Sequence, residues 1–405
     1  MLGEILRKLY DMTAIGGLIA EPGSLLMLVL ALVLMYLGIK KRYEPLLLVP
    51  IAFGVLLANF PGSRMGVIPA EEIEGIIDMS LVRIAYDHGI INMLYYALIK
   101  TGLLPPLIFM GVGAMTDFGP MLRNLRLAFF GAAAQIGIFT VLIAAVLLGR
   151  PLNEAAALGI IGGADGPTAI YISIILAPNL LGPIAIAAYS YMALVPVIIP
   201  LVVRFSVSEK ELRINMKEQE RLYPSKREIK DLRTVKIIFP IMLAALAAIL
   251  VPSAAPLIGL LMFGNLVKEI GSDTNRLFQA ASETVMNTAT VFLGLCVGAT
   301  MSAHSFLNAD TLVIVVGGFL AFAISILGGI MAVKIYNLFS AKKINPLIGA
   351  TGLSAVPMAS RVANEIALRH DPKNHLLQYA MSSNISGVIG SAVAAGVLIA
   401  FVLGN

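Results

Sequence analysis

The sequence predicts an all-α protein that passes through a membrane many times. Hydrophobic residues make up 58% of the 405 residues and charged residues only 13%, and the mean hydropathy is +0.89. Soluble domains do not have such a composition. Apolar runs close to the length of about 20 residues that a helix needs to span a bilayer recur along the chain. These observations predict about ten membrane-crossing or re-entrant segments.

Residues 1–90 are expected to hold N-terminal membrane segments and an amphipathic loop. The apolar run Leu25 to Ile39 ends at the basic sequence Lys40 to Arg42, and Leu46 to Phe60 is the next span. Several acidic residues follow between 61 and 90. They indicate a polar loop with an amphipathic helix.

Residues 91–203 are expected to form the first of two related halves. Ile90 to Met115 is apolar but interrupted by two adjacent prolines, and Leu127 to Leu148 is rich in small residues that suit close helix packing. Ile184 to Val203 is the last span of this half. A segment broken at 160–170 lies between them.

The stretch Gly162 to Thr168 (GGADGPT) causes that break. Three glycines and a proline disfavour a regular helix, and Asp165 lies at the centre. An acid inside a membrane is costly unless it faces a partner, an ion or a water-filled cavity, and broken backbone needs similar surroundings. Asp165 is therefore a candidate cation ligand. The alternative is that Asp165 caps a helix restarting near Pro167, and the two roles are compatible.

Residues 204–236 form the one long hydrophilic stretch, hereafter the connector. It holds ten Lys and Arg residues and six acids, and its basic excess places it in the cytoplasm. Because acids and bases interleave, nucleic-acid binding is not expected. A single cysteine excludes an internal disulfide, and the four histidines lack the paired spacing of a transition-metal site.

Residues 237–405 are expected to form the second half. Its apolar spans include Ile237 to Val251, Leu312 to Ile335 and His375 to Leu403. A second segment, at 345–358, is broken by Gly349, Gly352 and Pro357. This half therefore has the same general plan as the first.

Two pairs of similar stretches connect the halves. Ile108 to Thr116 (IFMGVGAMT) resembles Val291 to Thr300 (VFLGLCVGAT), and Ile161 to Gly166 resembles Ile348 to Gly352 at nearly the same offset. The similarity predicts an inverted repeat, with each half contributing one broken or re-entrant helix to a common site.

Na⁺ prefers oxygen ligands, and the apolar segments offer few of them. Asp165 is the anionic candidate, Asn345 and Asn384 carry amide oxygens, and Ser354 and Tyr191 carry hydroxyls. Each has another explanation: a serine can bond its own helix, Tyr191 can lie at the membrane interface, and Asn384 can join two helices. We expect Asn345, Ser354 and Tyr191 to form a second polar cluster, shared between a cation and a proton.

Four stretches resemble the β subunit of the sodium-pumping biotin-dependent decarboxylases. They are GGADGPT at Gly162, GVGAMTDFGP from Gly111, SAVPMA from Ser354 and GVIGSAVAAG from Gly387. That family includes oxaloacetate, methylmalonyl-CoA and glutaconyl-CoA decarboxylases, and the resemblance covers nearly the whole chain after about residue 20. One departure is Ser382-Ser383, where relatives are expected to have Gly-Pro, so the local backbone there is in question.

The resemblance implies site residues. The expected Na⁺ ligands are Asp165, Asn345, Ser354 and Asn384. The residues expected to contact carboxybiotin are Arg361, Asn345 and Gly349. The residues expected to have catalytic roles are Arg361, Tyr191 and Ser354. The Arg361 guanidinium is expected to hold the carboxylate of carboxybiotin by paired hydrogen bonds. From the sequence alone, Arg361 could equally be a charge at the edge of the membrane.

The resemblance also implies a function. Carboxybiotin carried by a partner is decarboxylated at this subunit, which drives Na⁺ outward and consumes an external proton. The implied partners are a carboxyltransferase α subunit, a biotin carrier protein or domain and a small single-span γ or δ subunit. The chain would form a homo-oligomer, expected to be a trimer, in the cytoplasmic membrane of a bacterium or archaeon. The alternatives are a Na⁺-coupled secondary carboxylate transporter and a non-catalytic membrane anchor.

Overall fold

The computed structural model describes residues 10, 12–42, 44–68, 72–73, 75–223 and 231–404. All regular structure in these residues is helical, which confirms the all-α class. The start of the chain and residues 224–230 of the predicted connector lie outside the described residues.

Twelve α-helices precede the connector in the described part of the chain. They are α1 (Ile15–Ala20), α2 (Pro22–Ile39), α3 (Pro45–Ala58), α4 (Leu81–His88), α5 (Ile90–Leu94), α6 (Leu104–Met115), α7 (Gly119–Arg123), α8 (Leu125–Ala134), α9 (Ile136–Leu147), α10 (Leu152–Gly159), α11 (Gly166–Leu176) and α12 (Leu181–Ser206). Shorter turns are a π-helical turn at Tyr95–Ile99 and 3₁₀ turns at Ile76–Asp78, Ile160–Gly163 and Pro178–Leu180.

The connector and the second half contribute the remaining helices. They are α13 (Glu209–Leu212), α14 (Met216–Leu222), α15 (Leu232–Leu250), α16 (Ala255–Ile270), α17 (Asn275–Gln279), α18 (Met286–Ala299), α19 (Ala303–Phe306), α20 (Ala309–Phe339), α21 (Leu347–Ala350), α22 (Met358–His370) and α23 (Leu377–Leu403). A π-helical segment, Ala280–Val285, leads into α18, and 3₁₀ turns lie at Pro252–Ala254 and Ser272–Thr274.

Seven of the described helical segments are long and apolar enough to cross a membrane, and the number rises to nine if each of two bent pairs is one span. One pair bends by 67° between Ile90–Ile99 and Leu104–Met115, close to the two predicted interrupting prolines. The other bends by 68° within α12, after Met192. The structure confirms a polytopic α-helical membrane protein; the figure of ten segments stays a prediction.

The outer surface of the helices is apolar. Leu32, Ile143 and Val316 are each more than half exposed on three of the long helices. Exposed aliphatic surface of this extent is characteristic of a face that contacts lipid rather than water.

The first broken segment is a re-entrant hairpin made of α10, the turn Ile160–Gly163 and α11. The Asn153 side-chain amide, near the start of α10, donates to the Leu176 carbonyl at the end of α11 over 2.9 Å. The chain therefore enters the membrane region, turns, and returns to the side from which it entered. Both arms are shorter than a full span, at 8 and 11 residues.

The second broken segment is a hairpin that begins at Asn345 and returns along α22 to Asn374. The amides of Asn345 and Asn374 donate to the same two connector carbonyls, Leu212 O and Ile214 O, over 3.0–3.3 Å. The connector thus holds both ends of this hairpin. The returning arm was not predicted from the sequence.

The two hairpins enter from opposite sides. The base of the first lies near Arg150, which pairs with Asp310 at the start of α20 over 2.7 Å. The other end of α20 meets the connector, where Lys334 pairs with Glu211 over 3.0 Å. The hairpin bases therefore lie at the two ends of one 31-residue helix. Their tips meet between them, where the Ser354 N–H donates to Gly163 O over 3.2 Å.

Close helix contacts repeat between the halves. A Cβ on Gly54 would stand 2.3 Å from Leu295 O, and a Cβ on Gly264 would stand 1.9 Å from Met110 O. Leu295 and Met110 each lie three residues before the Gly-Ala pair that the sequence comparison aligned. Both contacts require glycine, because any side chain would collide with backbone.

The hairpins show the same repetition. A Cβ on Gly162 would meet the backbone of Gly137, and a Cβ on Gly349 would meet the backbone of Gly329, each within 3.0 Å. Each hairpin thus lies against the long helix segment that precedes it. The inverted repeat itself stays a prediction.

The helices that flank the connector overlap its predicted range. The last helix of the first half continues to Ser206, and the first helix of the second half begins at Leu232. The terminal helix α23 runs unbroken from Leu377 to Leu403, so the Ser382-Ser383 departure does not interrupt the helix.

Candidate functional site

The candidate site lies where the two hairpin tips meet. Ala164 adopts a left-handed backbone conformation, with φ of 54°, and ends the incoming arm of the first hairpin. Asp165 then begins α11, with Gly166 and Pro167 in its first turn. One Asp165 oxygen accepts the Thr168 backbone N–H at 3.2 Å. The helix-capping role considered from sequence is thus present, and it uses only one carboxylate oxygen.

The other oxygen of Asp165 faces α23 and the second hairpin. It accepts the Ser391 hydroxyl at 2.7 Å, and Ser391 lies 2.8 Å from the Ser354 hydroxyl. When Ser391 gives its hydrogen to Asp165, Ser354 must donate to Ser391. A chain of polar groups therefore joins the first hairpin, α23 and the second hairpin.

Asp165 is only 5% exposed. Among the described residues, no Lys, Arg or His forms an ion pair with it. A buried carboxylate with no opposite charge is expensive in its ionised form. The site therefore favours either a bound cation or a proton on Asp165.

Asn384 supports the second hairpin from α23. Its amide nitrogen donates to Leu353 O in the broken segment, and its oxygen accepts the Ser360 hydroxyl at 3.1 Å. The two polar groups of this fully buried side chain thus hold the second hairpin, one at a backbone carbonyl next to Ser354 and the other at the Ser360 hydroxyl. The predicted site residue Asn384 lies at the junction, and its described bonds are to hairpin groups.

Three polar side chains near the tips were missed from sequence. The Gln135 side-chain oxygen, the Thr168 hydroxyl and the Tyr189 hydroxyl are buried and have no hydrogen-bond partner among the described residues. The Tyr189 ring packs on Gly166, where a Cβ would stand 2.2 Å from it. A polar residue isolated in an apolar run was the only signal available for Gln135.

Asn345 and Gly349 lie away from the carboxylate contacts. Asn345, at the base of the second hairpin, donates to the connector and accepts the Leu347 N–H at 3.0 Å. Gly349 packs against Gly329, as described above. In the structure both residues position the hairpin.

Tyr191 faces α20. Its hydroxyl donates to Val315 O, and its ring packs against Phe319 and Phe322. The expected polar cluster of Asn345, Ser354 and Tyr191 is therefore not joined by hydrogen bonds in the structure. Ser354 is the only one of the three that is connected to Asp165 through a described hydrogen bond.

Arg361 lies in the first turn of α22, and its side chain is exposed. Its backbone N–H donates to Pro357 O over 3.1 Å. Among the described residues, no carboxylate forms a salt bridge with its guanidinium. An accessible guanidinium can donate paired hydrogen bonds to an anionic group.

Comparison with known proteins gives a consistent match. Residues 23–402 match the family model of the Na⁺-transporting oxaloacetate decarboxylase β subunit. The chain is 48% identical to the methylmalonyl-CoA decarboxylase β subunit of Propionigenium modestum, over 98% of this chain and 99% of that protein. It is 44% identical to the oxaloacetate decarboxylase β chain of Klebsiella pneumoniae, over 94% of this chain and 95% of that protein.

Proposed function

Because the chain belongs to the family of the Na⁺-transporting oxaloacetate decarboxylase β subunits, we propose that Asp165 binds the transported Na⁺ at the meeting point of the two hairpins. The protein is the multi-pass membrane subunit of a sodium-transporting decarboxylase complex in the cytoplasmic membrane. The remaining proposals concern how its residues serve that activity.

The proposal rests on the carboxylate of Asp165, which is buried and has no ion-pair partner among the described residues. Na⁺ takes oxygen ligands, and Asp165, Ser391 and Ser354 place a carboxylate and two hydroxyls in one chain of contacts. Because the hairpins enter from opposite sides, these oxygen ligands lie within reach of both sides of the membrane. Broken helices that meet at the centre of an inverted repeat are a common design for ion-coupled transport.

Arg361 is proposed to hold the carboxylate of carboxybiotin. The exposed guanidinium fits an anionic carboxyl group, and the second hairpin that carries it opens toward the connector. Loss of the N-carboxyl group releases CO₂ and leaves the biotin nitrogen to take up a proton. Each decarboxylation therefore consumes a proton. We propose that it comes from the side opposite the connector and that proton transfer involving Asp165 is coupled to Na⁺ release there.

Asn345, Gly349 and Asn384 are proposed to keep the second hairpin in place for these steps. Ser354 is proposed to contact Na⁺ through its position beside Ser391. Tyr191 lies in the contact between α12 and α20. It is proposed to affect the proton-coupled step from that position.

The chain works as part of a complex of several subunits. We propose that biotin is carried by a partner, because the sequence contains no Met-Lys-Met segment of the kind at which biotin is attached. The other proposed partners are a carboxyltransferase α subunit and a small single-span γ or δ subunit, around a β-subunit trimer. A secondary carboxylate transporter is not favoured, since the relatives are named as decarboxylase subunits.

The test is the Asp165→Asn variant in the assembled complex. The amide keeps the shape of the side chain but removes the charge that offsets ion dehydration. We expect loss of Na⁺-activated decarboxylation with assembly intact. Asp310→Asn is the control, because it replaces an exposed acid that pairs with Arg150 at the hairpin base. Normal Na⁺ activation in Asp165→Asn would refute the proposed site.

A further inference from the structure

Gln135 lies in the middle of the span formed by α8 and α9, at the junction of the two helices. It is 5% exposed. A primary amide buried at this depth needs partners for two N–H groups and one oxygen. Among the residues that the structure describes, only the nitrogen finds such partners.

The nitrogen of Gln135 is surrounded by backbone acceptors. It lies 3.1 Å from Gly131 O on its own helix, 3.2 Å from Gly352 O in the second hairpin and 3.4 Å from Gly387 O on α23. The opposite amide orientation would place an oxygen against three oxygens. The neighbouring carbonyls therefore fix which end of the amide points away from them.

The oxygen of Gln135 points toward the first hairpin and has no described partner. It lies 3.5 Å from the point that a Cβ on Gly163 would occupy, and the Ser391 Cβ lies 3.1 Å from the same point. The Ser391 hydroxyl bonds Asp165 at 2.7 Å. An oriented, unpaired oxygen thus lies beside the polar chain that ends at the carboxylate.

We propose that the side-chain oxygen of Gln135 is a neutral ligand of the cation bound at Asp165. The inference deepens the proposed function and rests on it. Three carbonyls of separate elements hold the amide, so its oxygen is in place before the ion arrives, and binding orders no further side chain. The absence of a side chain on Gly163 leaves the oxygen accessible from the first hairpin.

An unpaired amide oxygen alone does not make a cation site, and the chain contains a matched case. Asn265 on α16 is fully buried, donates to Gly113 O and Thr116 O over 3.2 and 2.9 Å, and also has an unpaired oxygen. It holds the end of α6 and has no described contact with Asp165 or the hairpins. Asn265→Leu is therefore the control variant, because it removes a buried amide that bonds the end of a helix far from the proposed ion site.

The experiment measures protection of the purified complex by Na⁺ against heat unfolding, together with Na⁺ activation of decarboxylation. Gln135→Met removes the amide at nearly constant length. Gln135→Asn keeps an amide at this position but shortens the side chain by one methylene, which withdraws the oxygen. We expect the Na⁺ concentration for half-protection to rise about tenfold or more in both variants, as for loss of a hydrogen bond or ligand to a charged group.

The outcomes separate the ligand role from packing and from the proposed function. A folded Gln135→Met complex with the wild-type Na⁺ midpoint overturns the role of Gln135. If Gln135→Met does not assemble, Gln135→Asn decides in the same way. An equal shift in Asn265→Leu also overturns it, because any buried amide would then have the effect. Na⁺ protection that survives in Asp165→Asn would instead contradict the proposed function itself.

Discussion

Ser391→Ala tests the polar chain between the hairpins. The hydroxyl of Ser391 donates to Asp165 over 2.7 Å and contacts Ser354 over 2.8 Å. A hydrogen bond to a charged group contributes about 1.5–3 kcal/mol. Because the bond is strongest to the ionised carboxylate that would hold Na⁺, its loss should raise the half-activating Na⁺ concentration by roughly tenfold to a hundredfold.

The assay is Na⁺-dependent decarboxylation by the purified complex, with Na⁺ protection against heat as a second readout. Ser382→Ala is the matched control, because Ser382 is buried in the same helix and its hydroxyl bonds a backbone carbonyl, Pro120 O, over 2.9 Å. It should leave the Na⁺ midpoint within about twofold of wild type. An unchanged midpoint in an assembled Ser391→Ala complex would show that this hydroxyl does not support the ion.

The remaining predictions concern three other residues. Arg361→Lys keeps the charge but not the fork geometry; we expect a large drop in decarboxylation of added carboxybiotin carrier with Na⁺ protection retained, and wild-type turnover would leave Arg361 as a boundary charge. Tyr191→Phe should change the pH profile of turnover more than assembly, and an unchanged profile would leave the phenol as a packing group. At Asp117, burial raises the pKa, but hydrogen bonds from Lys236 and the Gly119 N–H outweigh it, so the pKa is lowered from 3.8. Its contribution to stability is present above about pH 4 and is lost as pH falls through the lower folded-state value. Asp117→Asn should flatten this acid limb in thermal unfolding, and an unaltered limb would count against the pairing.

The sequence predicted the features that depend on local composition. Three glycines, a proline and Asp165 placed the first break at 160–170, and the structure has it at Ile160–Gly163 and the following two residues. The second break, expected at 345–358, lies between α21 and α22. Both follow from residues that cannot continue a helix, so neighbouring residues suffice to find them.

Contacts between distant segments could not be predicted in this way. The orientation of the Gln135 amide depends on the carbonyls of Gly352 and Gly387, which are far away in sequence. Tyr189 and Tyr191 are only two residues apart, but two helical steps turn a side chain to nearly the opposite face. The structure accordingly places Tyr189 on the first hairpin and turns Tyr191 toward α20. A pattern of residue types does not say which of two neighbouring tyrosines faces the carboxylate.

The measurement that tests the central claim most directly is equilibrium binding of radioactive Na⁺ to the purified complex, compared between wild type and Asp165→Asn. If Asp165 holds the ion, the wild-type complex binds Na⁺ saturably, and the variant loses that binding while it remains assembled. Saturable binding of equal affinity and amount in Asp165→Asn would contradict the account.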